Sequence, residues 1–516
     1  MHIMLNQNNQ QSLLVALACA FVVSFWSLVV PMFEFPDEQA HFSTVEFLRV
    51  NGHIPVGLEP DMTEELKQTE ELLGVFRNAS GQNQLTYHPE YRLNFQSGVT
   101  GLYESQIKSF NTYDLQDEYV ATEAARYPRA YYDYEGLWNR LVYSQDIILR
   151  LFVTRLGSFV LSFATAYFIF QIGLLIFKKR TSATLLTFMV MLQPMFSFVS
   201  AGINSDNLHN LLFTIGIYCS LMIIETGFST WSTILLTLAL ALDVYSKPQG
   251  VILIILVGLA IFIRAIVSAN YRLLIALIVF SLLGFVLTKT ALSPYLGFLN
   301  IANLRGSSFA EFVNFSTNKL IAQNAVWYWG VFKWLGVVLP AIYWRVANRI
   351  VIVGAVGILI YLYKYFKRHK SIISFPSLLF LISAILIYTL SIFWFDWQHL
   401  KLNGYSLGIQ ARYFYPTIVA QMSLLLTGIL AFSWNAKSKL WLGRGLVVLF
   451  IWLQLGGLFT LLTSYYDLSS WAVFVNQLSQ YKPWFAKGDF WYLWFIIYSS
   501  CISLLIYLSS HSDHEK

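Results

Sequence analysis

Charge is what this sequence has least of. Charged residues make up 12% of its 516 positions, against about 25% in an ordinary soluble domain. That scarcity excludes a soluble globular chain. Cysteine is scarcer still. Cys19, Cys219 and Cys501 all fall inside apolar segments, so no disulfide framework is implied and no zinc-ligand spacing exists. There is no basic tail, and Lys/Arg runs are confined to short loops. The net charge of +6 is therefore no nucleic-acid signal, and no nucleic-acid partner is expected. No internal repeat or inverted symmetry is visible, and neither end reads as a separate soluble domain.

What is abundant is apolar length. A membrane-spanning helix needs roughly 20 mainly apolar residues. About twelve segments qualify, near 12–32, 151–176, 182–201, 208–225, 229–245, 249–267, 271–290, 346–364, 373–395, 413–433, 442–464 and 489–509. The expected fold is an all-α polytopic membrane protein, with residues 1–516 forming one integral membrane domain. Segment 12–32 reads as a retained first helix, because it is too long for a signal peptide, has no basic flank and precedes no small-residue cleavage site. Aromatic residues reach 17%, and Trp and Tyr favour membrane–water interfaces. The aromatic stretch 327–344, "WYWGVFKWLGVVLPAIYW", is expected to lie at the outer interface and not to cross.

Loop charge sets the orientation. Lys178 to Arg180, Arg264 with Arg272, "KYFKRHK" (364–370) and "KSKLWLGR" (437–444) are the basic clusters, and the positive-inside rule places them in the cytoplasm. Both termini are then cytoplasmic. The long connection 33–150 lies outside, as does 291–345. A connection as long as the first should carry helices of its own, and "DMTEELKQTEELLGVFRN" (61–78) reads as one.

The polar residues that look out of place gather on that outer side. Asp37, Glu38 and His41 follow the first span in "PDEQAHF". A helix start explains them plainly, with Pro36 in the first turn and acids at the positive end of the helix dipole. Asp206 in "INSDNLHN" fits an N-cap, shared with Ser205. Lys247 in "DVYSKPQG" has Asp243 four residues earlier, a natural pair on one helix face. Arg412 in "GIQARYFYP", Arg345 and Arg349 open helices from the outside, where snorkelling accounts for any one of them. Snorkelling does not account for carboxylates and cations from distant parts of the chain sharing one face. Ionisable residues in spans cost roughly 2.5–3.5 kcal/mol each on insertion scales and are functional candidates by default.

Cations beside carboxylates at a membrane surface suit one reaction class. A sugar on a polyprenyl phosphate presents its anomeric carbon just outside the bilayer. Lys and Arg can neutralise the leaving phosphate, here Lys247 and Arg412, with Arg345 or Arg349 in reserve. A carboxylate can take the acceptor's proton.

The motifs "PDEQAHF", "QPMFSFVSAGINSDNLHN", "SKPQG", "AVWYWGVFKWLG" and "GIQARYFYP" together resemble a bacterial membrane-protein family of unassigned function. That family is similar to the GT-C superfamily of membrane glycosyltransferases. The resemblance runs from residue 12 to about 430 and rests on the order of short motifs. It implies a GT-C-like helix arrangement, a location in the bacterial inner membrane, and a donor sugar on a polyprenyl phosphate. The acceptor would be a glycan, a lipid or a protein. It also implies that Asp37, in the first outer loop, is the catalytic acid residue, with Glu38 and His41 beside it. At 127–132 the chain reads "YPRAYY" where related sequences carry His-Pro-Pro-x-Tyr-Tyr, so Tyr131 and Tyr132 remain as substrate contacts, with Trp327 and Trp329 as further aromatic contacts. GT-C enzymes divide on metal use. Asp37, Glu38 and Asp206 offer oxygen ligands for magnesium or manganese, but no metal signature is present, and metal-independent chemistry is expected. A flippase or transporter, or a polymerase or ligase of lipid-linked glycans, is the alternative reading.

Orientation is directly testable. A cysteine placed at Ser80 should react with an impermeant thiol reagent in intact cells, and one at Ser371 should not. Labelling at Ser371 would overturn the count of spans.

Overall fold

The structure, a computed structural model, describes residues 2–511 except 57–58, 60, 78–82, 94, 96, 111–126, 271, 276, 280–281, 283–285, 287–307 and 370. It is a helical bundle. The elements in chain order are α1 (His2–Val29), α2 (Glu38–Asn51), α3 (Glu64–Leu73), α4 (Ser97–Ser109), α5 (Ala130–Leu141), α6 (Ile147–Phe177), α7 (Arg180–Met191), α8 (Pro194–Val199), α9 (Asp206–Thr226), α10 (Thr230–Ser246) and α11 (Val251–Ser268). They continue with α12 (Phe309–Lys319), α13 (Ala341–Phe366), α14 (Phe375–Asn403), α15 (Ile418–Ala431), α16 (Ala436–Tyr465), α17 (Trp471–Leu478) and α18 (Phe490–His511).

Among the described residues, nine helices are long and apolar enough to cross a membrane. The chain is an all-α polytopic membrane protein, but three of the twelve expected segments do not register as such spans. α10 is apolar and shorter. Segment 182–201 is broken, because Pro194 opens a new helix and the Gln193 side chain caps it by accepting from Phe196 N. Segment 271–290 falls largely outside the described residues.

The connection 33–150 holds α2, α3, α4 and α5, as its length required. The helix expected over 61–78 is the shorter α3. Thr63 caps it, accepting from Leu66 N at 3.3 Å, and Gly74 ends it at φ 71°, a left-handed value natural to glycine. The aromatic stretch 327–344 forms no spanning helix. Val331–Phe332 pairs antiparallel with Val337–Val338, and Lys333, Trp334 and Leu335 turn the hairpin at positive φ. The Lys333 ammonium holds it down by donating to the carbonyls of Pro89, Tyr91 and Ser464.

α1 packs on α6 and on the last helix, α18. α13 and α15 approach through glycine: a Cβ built on Gly357 would lie 2.0 Å from the Gly428 carbonyl oxygen. Small residues let membrane helices meet this closely.

The end of α1 is the most heavily tied point. The last carbonyls of a helix have no partner within it. Here Arg155 of α6, with a side chain 0% exposed, supplies one. Its Nη1 donates to Ser27 O and Val30 O, and its Nη2 to Pro31 O. Its Nε and Nη2 also grip both oxygens of Glu38, at 2.8 and 2.6 Å. All five guanidinium N–H groups are spent. Tyr466 OH adds a bond to Val29 O, and Lys482 Nζ another to Val30 O.

Glu38 is therefore a structural anion. Glu38→Gln would keep the shape but strip the buried guanidinium of its counter-charge. Breaking a buried pair costs about 3–5 kcal/mol. We expect a lower thermal unfolding temperature and less folded protein. An unchanged unfolding temperature with lost turnover would return Glu38 to the reacting groups.

Candidate functional site

Asp37 occupies the N-cap position of α2, yet its side chain makes no capping bond. Its backbone is left-handed, at φ 57°, a conformation that Asp tolerates better than most residues. Asn204 Nδ2 donates to Pro36 O at 2.8 Å and fixes the turn. The carboxylate, 24% exposed, instead lies 2.5 Å from Arg412 Nη2 and 3.7 Å from Arg77 Nη1. Burial alone would push the Asp37 carboxyl up; the Arg412 and Arg77 guanidiniums overcome it and hold the group well below the usual carboxylate range.

Asp206 begins α9, and Asn204 Oδ1 accepts from its backbone N at 2.8 Å. With that local need met, the Asp206 side chain turns to Lys247 Nζ in an ion pair. It also lies 3.8 Å from Arg412 Nε. Lys247 is the C-cap of α10 and leaves the helix at φ −152°. That exit carries its side chain away from Asp243, so the expected pairing of the two side chains does not form. Asp243 instead bonds His209 Nδ1 at 2.6 Å, and His209 Nε2 meets Tyr388 OH at 3.1 Å. Lys247 Nζ lies over the rings of Tyr127 and Tyr413, at 5.3 and 5.8 Å. Arg412 sits in the 3₁₀ turn Ala411–Thr417. Its Nε and Nη1 are buried and donate to no acceptor among the described residues.

His41 lies beside this group. Its Nδ1 is 3.0 Å from Tyr132 OH, and its ring stacks against Tyr127 and Tyr132 and meets Tyr131 edge-on. Burial outweighs the Asp37 charge and pushes the imidazole down to about 4, so His41 is neutral at pH 7. The Tyr132 hydroxyl is pushed well up, chiefly by burial.

The structure thus brings together Asp37, Asp206, Lys247, Arg412, His41 and Tyr132. Glu38 is turned away to Arg155. Arg345 and Arg349 are exposed on α13, with Arg345 over the Trp344 ring, and neither joins the cluster. Trp329 is buried with its Nε1 donating to Asn348 at 2.8 Å, and Trp327 is half-buried. Trp329 instead lines a largely apolar cavity of about 480 Å³ between α13, α14 and α15. Phe414, two residues beyond Arg412, lines it too. Sequence reading missed Arg77, Tyr127, Tyr413 and His209. Arg155 carried a usable signal, since a lone cation within an apolar run demands a partner.

Glu38 has both oxygens committed, which leaves Asp37 and Asp206, each already matched by a cationic side chain. No group of three His, Cys, Asp or Glu among the described residues is placed to hold a metal.

A comparison with curated proteins finds no match. Solved structures give loose likenesses. The archaeal oligosaccharyltransferase AglB from Archaeoglobus fulgidus, in complex with an inhibitory peptide and a dolichol-phosphate, is 11% identical over 88% of this chain, with a TM-score of 0.42. ArnT from Cupriavidus metallidurans in the apo state is 12% identical over 96%, with a TM-score of 0.40. The chain spans 56% of the AglB chain and 76% of the ArnT chain. Likenesses this loose carry neither an activity nor a site to this protein. The sequence match is firmer: the family described as "Predicted membrane protein (DUF2142)" matches residues 19–420, and the chain belongs to that family.

Proposed function

We propose that this protein is a membrane glycosyltransferase. It would move a sugar from a polyprenyl-phosphate donor to a glycan, lipid or protein acceptor outside the cytoplasm, with inversion at the anomeric carbon. The observation that carries the reading is Arg412, a buried guanidinium lying between Asp37 and Asp206, with two donor groups that no described residue satisfies. An unsatisfied buried donor costs about 1–3 kcal/mol, and a phosphate oxygen is the natural acceptor for a planar guanidinium. Lys247 supplies a second cation. The apolar cavity beginning at Phe414 offers a place for the isoprenoid chain next to that phosphate.

In the reaction, the acceptor oxygen attacks the anomeric carbon and the bond from that carbon to the phosphate oxygen breaks. The phosphate leaves with the electron pair, and the acceptor proton passes to the Asp37 carboxylate. Phosphate thereby gains one negative charge as Asp37 loses one. Arg412 touches Asp37 before the transfer and is positioned to serve the phosphate after it. A phosphate on the unused Nε and Nη1 of Arg412 shares the guanidinium charge with Asp37 and so loosens its hold on the carboxylate, which can then act as a base. His41, neutral and bonded to Tyr132, would orient the acceptor.

Two substitutions test this. Asp37→Asn keeps the side-chain shape and loses its proton affinity. We expect turnover by purified protein to fall about a hundred- to ten-thousand-fold, with donor binding largely kept. Near-normal turnover would remove Asp37 from the mechanism. Arg412→Lys keeps the charge and loses the planar fork. We expect weaker donor binding and a clear loss of turnover at unchanged expression. Full activity would mean that Arg412 supplies only a general positive field.

A further inference from the structure

Asp206 has an oxygen to spare. Its Oδ1 pairs with Lys247 Nζ. Its Oδ2 is buried, accepts no hydrogen bond from any described residue and stands 3.8 Å from Arg412 Nε. The helix start does not need that oxygen, because Asn204 Oδ1 already takes the Asp206 N–H. The same Asn204 amide donates to Pro36 O. It therefore sets the Asp37 turn and the Asp206 turn at a fixed spacing on either side of Arg412. Asp37, with a side chain 24% exposed, is the open side of the cluster, and Asp206, at 6%, is its back wall. One turn along the same face of α9, Asn210 is 3% exposed, and neither polar atom of its amide meets a partner among the described residues. The wall thus continues from Asp206 with an open donor and an open acceptor.

We propose that this wall reads the transferred sugar: Asp206 Oδ2 accepts from a free hydroxyl on the carbon next to the anomeric carbon, which makes Asp206 a specificity-determining residue. The inference rests on the transferase reading, in which the donor phosphate lies on Arg412. A carboxylate oxygen repels that phosphate and can only accept, so its partner is a neutral O–H close by. In a glycosyl phosphate the nearest such group is the hydroxyl one carbon from the anomeric centre. An isoprenoid chain carries no donor and cannot satisfy the oxygen. Hydrogen bonds to a charged acceptor are the strong ones, and one from this hydroxyl strengthens as the ring gains positive character in the transition state. The substrates are then sugars with that hydroxyl free. A sugar lacking it leaves the Asp206 oxygen buried and unpaired.

The test is binding of farnesyl phosphodiesters to the full chain in nanodiscs, read by native mass spectrometry. The second ester group is the sugar, the same sugar with fluorine in place of that hydroxyl, or methyl. A glucose series and a mannose series present the hydroxyl on opposite faces of the ring. In at least one series, wild type should hold the hydroxyl sugar about tenfold more tightly than its fluoro analogue. Asp206→Ala should bring that ratio to about one. If Asp206→Ala does not fold with Lys247 unpaired, Asp206→Asn, which keeps the shape and loses the charge, should lower the ratio severalfold. A wild-type ratio near one in both series, with the esters bound, would overturn this proposal and leave the transferase reading in place. So would a ratio that the Asp206 variants do not change. Binding of none of the esters would overturn the transferase reading, and this proposal with it.

Discussion

One buried guanidinium organises this molecule. Arg155 lies in the apolar run of α6 that follows the buried Arg150, and taking a cation out of water costs several kcal/mol before compensation. Compensation comes from Glu38 and from the carbonyls that α1 leaves open at its end. The arrangement joins α1, α2 and α6 at one point. It also fixes where the chain turns between Pro31 and Glu38, and so where Asp37 stands. Asp37 adopts its left-handed backbone because both sides of that turn are held: Glu38 by Arg155, and Pro36 by Asn204. Unusual backbone of this kind persists where its surroundings over-determine it, and it concentrates at functional sites.

The two carboxylates at the site and the two on the anchoring side differ in what meets them. Glu38 meets a partner whose every donor is used. Glu34 accepts from Tyr465 OH through one oxygen only, and burial pushes its carboxyl up to about 8. Asp37 and Asp206 instead meet Arg412, whose donors are only partly used. A saturated pair resists change, whereas an under-satisfied one can accept a new anion. Adjacent acids in the sequence, Asp37 and Glu38, thus fall into opposite classes, because α2 begins between them and sends their side chains to different neighbours.

Much of this was legible in the amino-acid order. Apolar length gave the helical membrane fold, and the excess length of 33–150 gave its extra helices. Asp37, Asp206, Lys247 and Arg412 stood out because charge is costly there, and they do converge. What could not be read was direction. The i,i+4 spacing of Asp243 and Lys247 suggested a pair, but the helix ends before the second residue and the spacing rule lapses. Glu38 looked equivalent to Asp37 because sequence does not show which neighbour each faces. The stretch 327–344 had the composition of an interfacial helix, and its β-hairpin depends on three consecutive left-handed residues and on a lysine pinned by distant carbonyls. Arg77 lies within the stretch 61–78 that reads as one helix, but α3 ends at Leu73 with Gly74 as its cap, and Arg77 reaches Asp37 from beyond that end.

The ties at the end of α1 also set an order of events. Tyr465, Tyr466 and Lys482 reach back across more than 430 residues to Glu34, Val29 and Val30. A ribosome delivers the chain from its N-terminus, at about 5–20 residues per second. For most of synthesis, therefore, the first helix is in place without the groups that finish its end. Arg412 too arrives only after four-fifths of the chain has been made. The cluster of Asp37, Asp206, Lys247 and Arg412 cannot exist on a partial chain, and an interrupted product would be a membrane-embedded bundle whose Asp37 still lacks Arg412.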